Sequence, residues 1–235
     1  MKIKILLLAC MMALAGCATH HPVNFTADFN RGNAEISKGD WDGAIADYTK
    51  AIQLKPDEPA IYFNRGNAKY SKGDLDGAIS DYTIAIGLKP DWAESYNNRG
   101  NANKAKGVLD SAIEDFTKAI KLKPSLAEPY NNRGTAEQVK GDLDSAIADY
   151  SKAIELEPNG YKIYWNRGQT KMAKGDFDGA IADFTQVILK KPGYAEAYGK
   201  RGNAEQAKKD FDGAIADFSK AIALQPDLAE GEANI

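Results

Sequence analysis

The side chains of this 235-residue chain that could do chemistry fall into three sets. The first is two thiols, Cys10 and Cys17, and two imidazoles, His20 and His21, all near the N-terminus. A paired histidine could bind a metal, but no further ligand stands at a zinc-site spacing. With both imidazoles at one end, the rest of the chain has none for acid–base work or a nucleophile relay. The second set is ionic. Arg31, Arg65, Arg99, Arg133, Arg167 and Arg201 are each followed sixteen residues later by Asp47, Asp81, Asp115, Asp149, Asp183 and Asp217. The third is amide: Asn30, Asn64, Asn98, Asn132 and Asn166, with Asn33, Asn67 and Asn101 three residues further on. The glycines recur at a fixed interval and form no phosphate-cradling loop. No catalytic residue, metal or cofactor is expected from these sets.

The N-terminus opens with Lys2 and Lys4, then an apolar run from Ile5 to Leu14. That run is about ten residues, where a bilayer span needs roughly 20. A charged head, a short apolar core and small residues read as a secretory signal. Leu14-Ala15-Gly16-Cys17 resembles the lipobox of bacterial lipoprotein precursors. The resemblance implies cleavage between Gly16 and Cys17 after a diacylglyceryl group joins the sulfur. Residues 1–16 would leave, Cys10 among them, and 17–24 would form an acylated tether. Cleavage after Ala15 is the other reading, since Ala13 and Ala15 also make a small-x-small site. Two or three acyl chains hold a protein on a membrane stably, where one holds it marginally. Ala18 stands where an aspartate would favour inner-membrane retention in enteric-type bacteria, so the expected place is the outer membrane, facing the periplasm.

Lys and Arg number 30 against 33 Asp and Glu; without Lys2 and Lys4 the tally is 28 against 33, a net charge of −5. A mildly acidic body without a basic cluster argues against nucleic acid as a partner.

The elements that hold the ionic and amide sets recur every 34 residues. Arg31-Gly32 returns five times at that interval, and so does Pro56, as Pro90, Pro124, Pro158, Pro192 and Pro226. Six copies without insertion run 25–58, 59–92, 93–126, 127–160, 161–194 and 195–228, leaving a short tail at 229–235. Within Lys140–Pro158 the apolar residues Leu143, Ala146, Ile147, Tyr150, Ala153 and Ile154 make one stripe of an α-helix. Gly141 permits the turn before it, Asp142 caps it, and Pro158 stops it. Glu128 to Val139 makes the partner helix. One hairpin leaves an apolar face open, so stability must come from stacked neighbours.

With Gly32 and its equivalents as repeat position 8, the copies carry Ala at 20, Tyr or Phe at 24, mostly Ala at 27 and Pro at 32. This pattern resembles the tetratricopeptide-repeat (TPR) family over nearly the whole chain. The resemblance implies an all-α, right-handed superhelical solenoid of six helix-turn-helix repeats, with a concave groove lined by the first helix of each hairpin. Arg at position 7 departs from the family's leucine, and Asp at 23 accompanies it in every copy. Two readings are open: six charges facing a ligand, or a ladder of intra-repeat ion pairs, which the one-to-one matching of signs favours. Position 19 is Gly or Ser in place of the family's glutamate. Val108 stands where five copies have a capping Asp, so the second helix of copy three is expected to start late or to borrow Asp110.

The resemblance also implies that positions 6 and 9 line the groove. There the asparagine ladder would hold the backbone of an extended partner segment, with Phe29, Phe63 and Trp165 as apolar pockets. The competing reading is a solvated polar face. Position 5 carries no lysine, so the carboxylate clamp of chaperone-binding relatives is not expected. After Pro226 the family's covering helix is missing or very short, which would expose Ile215, Phe218 and Ile222. That end is either slightly frayed or an interface, including one for self-association. The expected function is a membrane-anchored protein-interaction scaffold of a bacterial envelope. The alternative is a pilotin-like assembly factor for a secretion or pilus machine. An enzyme is not expected, because nothing outside the repeats is large enough to hold an active site.

Overall fold

The computed structural model describes residues 25–225, and these form twelve α-helices. They pair as α1 (Phe25–Lys38) with α2 (Trp41–Leu54), α3 (Pro59–Lys72) with α4 (Leu75–Leu88), and α5 (Ala93–Ala105) with α6 (Leu109–Leu122). The second half repeats this: α7 (Ala127–Lys140) with α8 (Leu143–Leu156), α9 (Tyr161–Lys174) with α10 (Phe177–Lys190), and α11 (Ala195–Ala207) with α12 (Phe211–Leu224). The lipobox with Cys17, the histidine pair, Pro226 and the tail lie outside the described residues. No helix among the described residues is long and apolar enough to cross a membrane.

Local chemistry sets the hairpins. Gly73 sits at φ +91°, where its N–H reaches back to the carbonyls of Lys69 and Tyr70 and closes α3. Copy six has Lys209 at that turn, with φ +67°, a conformation that favours glycine. The aspartates before α2, α4, α8, α10 and α12 accept a hydrogen bond from the backbone N–H of position 19. A Cβ on Gly43 would lie 2.6 Å from the capping carboxylate of Asp40, which gives the glycines at position 19 their physical reason. Ser145 is accommodated there with a longer cap bond of 3.2 Å.

Val108 does not behave as expected. Helix α6 starts at Leu109, in register with the other second helices and as long as they are, and Asp110 pairs with Lys140 instead of capping. The Val108 N–H still bonds the Asn103 carbonyl at 2.9 Å, as its equivalents do, so the turn and the packing set this start.

Inside each hairpin the alanine at position 20, the ring at 24 and the small residue at 27 (alanine, or Val187 in copy five) form the core. Tyr48, Tyr82, Phe116, Tyr150 and Phe184 are fully buried. A Cβ on Gly32 would come within 2.7 Å of the Tyr48 ring, so the two helices meet at a glycine–ring contact. Each hairpin then packs on the next through α2 with α3, α4 with α5, and so on. The odd-numbered helices from α1 to α7 also approach their odd successors, with no comparable approach between even ones. The odd helices therefore line the inner side of the stack.

Candidate functional site: an amide-lined inner face

The arginines at position 7 grip the aspartates at position 23 in every copy, and the grip is two-pronged. In copies two, four and five the Nε–Oδ2 and Nη2–Oδ1 distances are 2.8 and 2.7 Å, 2.6 and 2.8 Å, and 2.9 and 2.6 Å. All six aspartates are buried. A forked guanidinium satisfies both carboxylate oxygens at once, so the charges belong to the scaffold and not to a ligand face.

Two features of this ladder escape a reading of the sequence. The remaining guanidinium nitrogen, Nη1, donates across the repeat boundary to a hydroxyl at position 25 of the preceding copy. Arg65 reaches Thr49, Arg99 Thr83, Arg133 Thr117, Arg167 Ser151 and Arg201 Thr185, at 2.9–3.1 Å. A Ser or Thr in every copy at position 25 was the available signal.

Position 11 is the second feature. Lys69 and Lys171 add a second cation to Asp81 and Asp183, at 2.8 and 2.9 Å, and Asn103 donates to Asp115 at 3.0 Å. Copies one, four and six instead place Glu35, Glu137 and Glu205 there, each with a buried Oε2 that has no hydrogen-bond partner. Burial, then the charge of Asp149, pushes the Glu137 carboxyl up to about 7.

The asparagine ladder does lie on the inner side, but it is not a row of free amides. Asn33 Oδ1 accepts from Tyr48 at 2.7 Å and from Asn64 at 3.3 Å; Asn67 Oδ1 accepts from Tyr82 at 2.8 Å and from Asn98 at 2.9 Å. These bonds tie position 6 to position 9 of the copy before. In the second half the acceptor moves to position 5: Asn132 donates to Asn97, and Asn166 to Asn131, both at 3.1 Å. Asn132 is only 8% exposed, too enclosed to meet a partner.

Part of the amide inventory stays available. Asn33, Asn64 and Asn67 line one depression of about 110 Å³, and Asn67, Asn98 and Asn101 line a neighbouring one of about 220 Å³ together with Tyr70 and Tyr82. Three residues on from Asn101, on the same side of α5, stands Lys104. It makes no ion pair among the described residues, lies 5.8 Å from the Phe116 ring, and burial lowers its pKa from the ordinary lysine value. Lys104 is a groove cation that the amide pattern did not single out; its signal was a lysine where the other copies have Ile, Tyr, Gln or Met.

Phe29, Phe63 and Trp165 are not pockets. Phe29 packs against Tyr48, Phe63 against Tyr82 and Trp92, and Trp165 against Phe184 and Tyr194, with ring centroids 4.5–5.9 Å apart. They fill the joint between the helices of a hairpin and, in copies two and five, the joint to the next copy. At the far end of the stack Ile215 and Ile222 are 63% and 53% exposed, while Phe218 is half-buried.

Models of the tetratricopeptide repeat match 93–126 and 167–229, and a TPR-repeat model matches 32–73, 66–107 and 139–175. No curated protein matches the sequence. Among solved structures, the MamA protein is 30% identical, with a TM-score of 0.68 over 73% of this chain and 94% of its own. YrrB, described as a TPR protein with an unusual peptide-binding site, is 26% identical, with a TM-score of 0.67 over 80% and 98%. PilF of Pseudomonas aeruginosa shares the fold, with a TM-score of 0.74 over 90% and 97% at 15% identity.

Proposed function

Since the chain belongs to the tetratricopeptide-repeat family, a protein-interaction scaffold that typically carries no enzymatic activity, we propose that it is a lipid-anchored scaffold of a bacterial envelope. Its anchor is Cys17, acylated after cleavage at Gly16, and its place is the periplasmic side of the outer membrane. Its working surface is the inner face of copies one to three, where extended segments of partner proteins bind.

The observation that carries this reading is the pair of adjoining depressions lined by Asn33, Asn64, Asn67, Asn98 and Asn101. Asn33 and Asn67, whose Oδ1 atoms already accept two bonds each, keep Nδ2 donors for partner carbonyls, while Asn101 offers both a donor and an acceptor to one peptide unit. Amides one copy apart could then hold successive stretches of extended backbone with little demand on sequence. The bonds from Tyr48, Tyr82, Asn64 and Asn98 fix the Asn33 and Asn67 side chains in place, which lowers the ordering cost of binding. Lys104 adds attraction for an acidic residue of the partner. That YrrB, 26% identical, is described as having a peptide-binding site supports peptide binding as the task.

A photo-crosslinker at Asn101 in intact cells, with one at the exposed Ala148 of α8 as control, tests the groove. Partner peptides attached at 101 and not at 148 should come from unstructured stretches, and Asn67→Ala with Asn98→Ala should reduce the yield with helical content kept, the melting temperature falling only by the loss of the Tyr82 bond. Equal yield at both positions would overturn the groove. Cys17→Ser should release the protein from membranes on fractionation, and a variant that stays membrane-bound would overturn the anchor.

A further inference from the structure

Every boundary between consecutive copies is closed by the same three devices. Lys at position 14 pairs with Asp at position 18 of the copy before: Lys72 with Asp42, Lys106 with Asp76, Lys140 with Asp110, Lys174 with Asp144 and Lys208 with Asp178. Arg at position 7 donates its Nη1 to the hydroxyl at position 25. Small or apolar residues at positions 3 and 10 bury themselves on the second helix of the copy before, as Ile61 and Ala68 do against Ala44, Tyr48 and Ala51.

At the two ends of the stack these devices stand half made, and the halves are complementary. Among the described residues, the first copy offers Lys38, which has no ion pair, and Arg31, whose Nη1 has no hydrogen bond; Ala27 and Ala34 are exposed. Among the described residues, the sixth copy offers Asp212 without a cation, and Ser219, whose hydroxyl donates to the Ile215 carbonyl but receives nothing. Beside them stand the exposed Ile215 and Ile222.

The molecule already contains the interface these ends would make. Between copies five and six, Ala197 and Ala204 are fully buried on α10, beside Asp178–Lys208 and Thr185–Arg201. Ala27, Ala34, Arg31 and Lys38 repeat the residue types of that α11 face, and Asp212, Ile215 and Ser219 repeat Asp178, Ile181 and Thr185 up to one Thr–Ser exchange.

We propose that the C-terminal face of α12 docks a second copy of this chain through its α1 face, so that copy one of one molecule continues the stack after copy six of another. The contact is heterologous: two different surfaces meet, each molecule keeps one of each free, and growth does not stop at two. The proposal concerns the ends of the stack and is independent of what the inner face binds.

Sedimentation equilibrium on the full chain carrying Cys17→Ser, so that acyl chains play no part, tests it. The average mass should climb past that of a dimer as concentration rises. Ile215→Asp, at an exposed position that leaves the fold intact by circular dichroism, should abolish the climb. Charge reversal at an exposed pair acts more weakly, so Lys38→Asp alone and Asp212→Lys alone should each weaken association by up to about fivefold. An equimolar mixture of these two chains should regain the wild-type strength, because each free end then meets its opposite charge. A wild type that remains monomeric, an association that ends at a dimer, or Lys38→Asp without effect would each overturn head-to-tail docking, the last two in favour of paired C-terminal faces.

Discussion

Copies four and five hold the same buried aspartate in the same arginine fork, yet they surround it with opposite charge. In copy five Asp183 sits between Arg167 and Lys171, at 2.6 and 2.9 Å. In copy four Asp149 has Arg133 at 2.6 Å, and the residue equivalent to the lysine is Glu137, whose Oε1 lies 3.8 Å from Arg133. One guanidinium in copy four thus serves two carboxyl groups, and burial beside Asp149 favours the protonated form of Glu137. The comparison teaches that the arginine–aspartate fork is the constant of the repeat, and that position 11 decides whether it responds to pH.

Removing the arginine should separate the copies most. Arg133→Leu restores the family's usual residue but leaves Asp149 and Glu137 together without a cation, and breaking such a buried pair costs about 3–5 kcal/mol. Arg167→Leu should cost clearly less, because Lys171 still holds Asp183. Chemical denaturation of both variants checks the order, and equal losses would break the comparison.

The next effect is on pH. Glu137 is raised from 4.5 to about 7 when folded, so between those values the folded state carries the extra proton. Stability conferred by that proton is present below the unfolded value and is lost as pH rises through about 7. Glu137→Gln should therefore stabilise the protein at pH 8 by on the order of 2 kcal/mol and flatten its pH profile, with little gain at pH 4. Lys171→Glu should write the same dependence into copy five. Melting temperatures of the three chains at both pH values decide the matter.

Smaller effects sharpen the picture at the boundaries. Thr117→Val removes the acceptor of the Arg133 Nη1 bond and should cost about 1 kcal/mol, leaving the fork to Asp149 in place. Val108→Asp should gain roughly 0.5 kcal/mol, at the low end for a cap, because α6 already starts in register without one. Thermal unfolding resolves the first, and a series at several denaturant concentrations the second.

The repeat and its two-helix form were legible because apolar spacing, Gly141, Asp142 and Pro158 all mark the same boundaries. The fork was legible because its partners keep one spacing and opposite sign. What stayed hidden depends on three-dimensional neighbours at unequal separations. The bond from Arg133 to Thr117 joins two hairpins, and no single copy shows it. A ladder of asparagines in sequence suggests a ladder of free amides in space. Yet Asn132 turns to Asn97 where Asn98 turns to Asn67, a change that follows from asparagine replacing an aromatic at position 5. Phe63 and Trp165 look like open pockets in the sequence for a related reason: the rings that cover them, Trp92 and Tyr194, open the next joint.

The sameness of the boundary devices has a consequence for how such a chain can change length. If residues 93–126 were deleted, Arg133 would find Thr83 in place of Thr117, and Lys140 would find Asp76 in place of Asp110. Each new neighbour has the chemistry of the one it replaces. At these two devices the stack can therefore lose or gain whole units without a mismatch, while Asn132 would have to turn from Asn97 to Asn67, and excision or duplication in multiples of 34 residues sets the reach of the molecule like marks on a ruler.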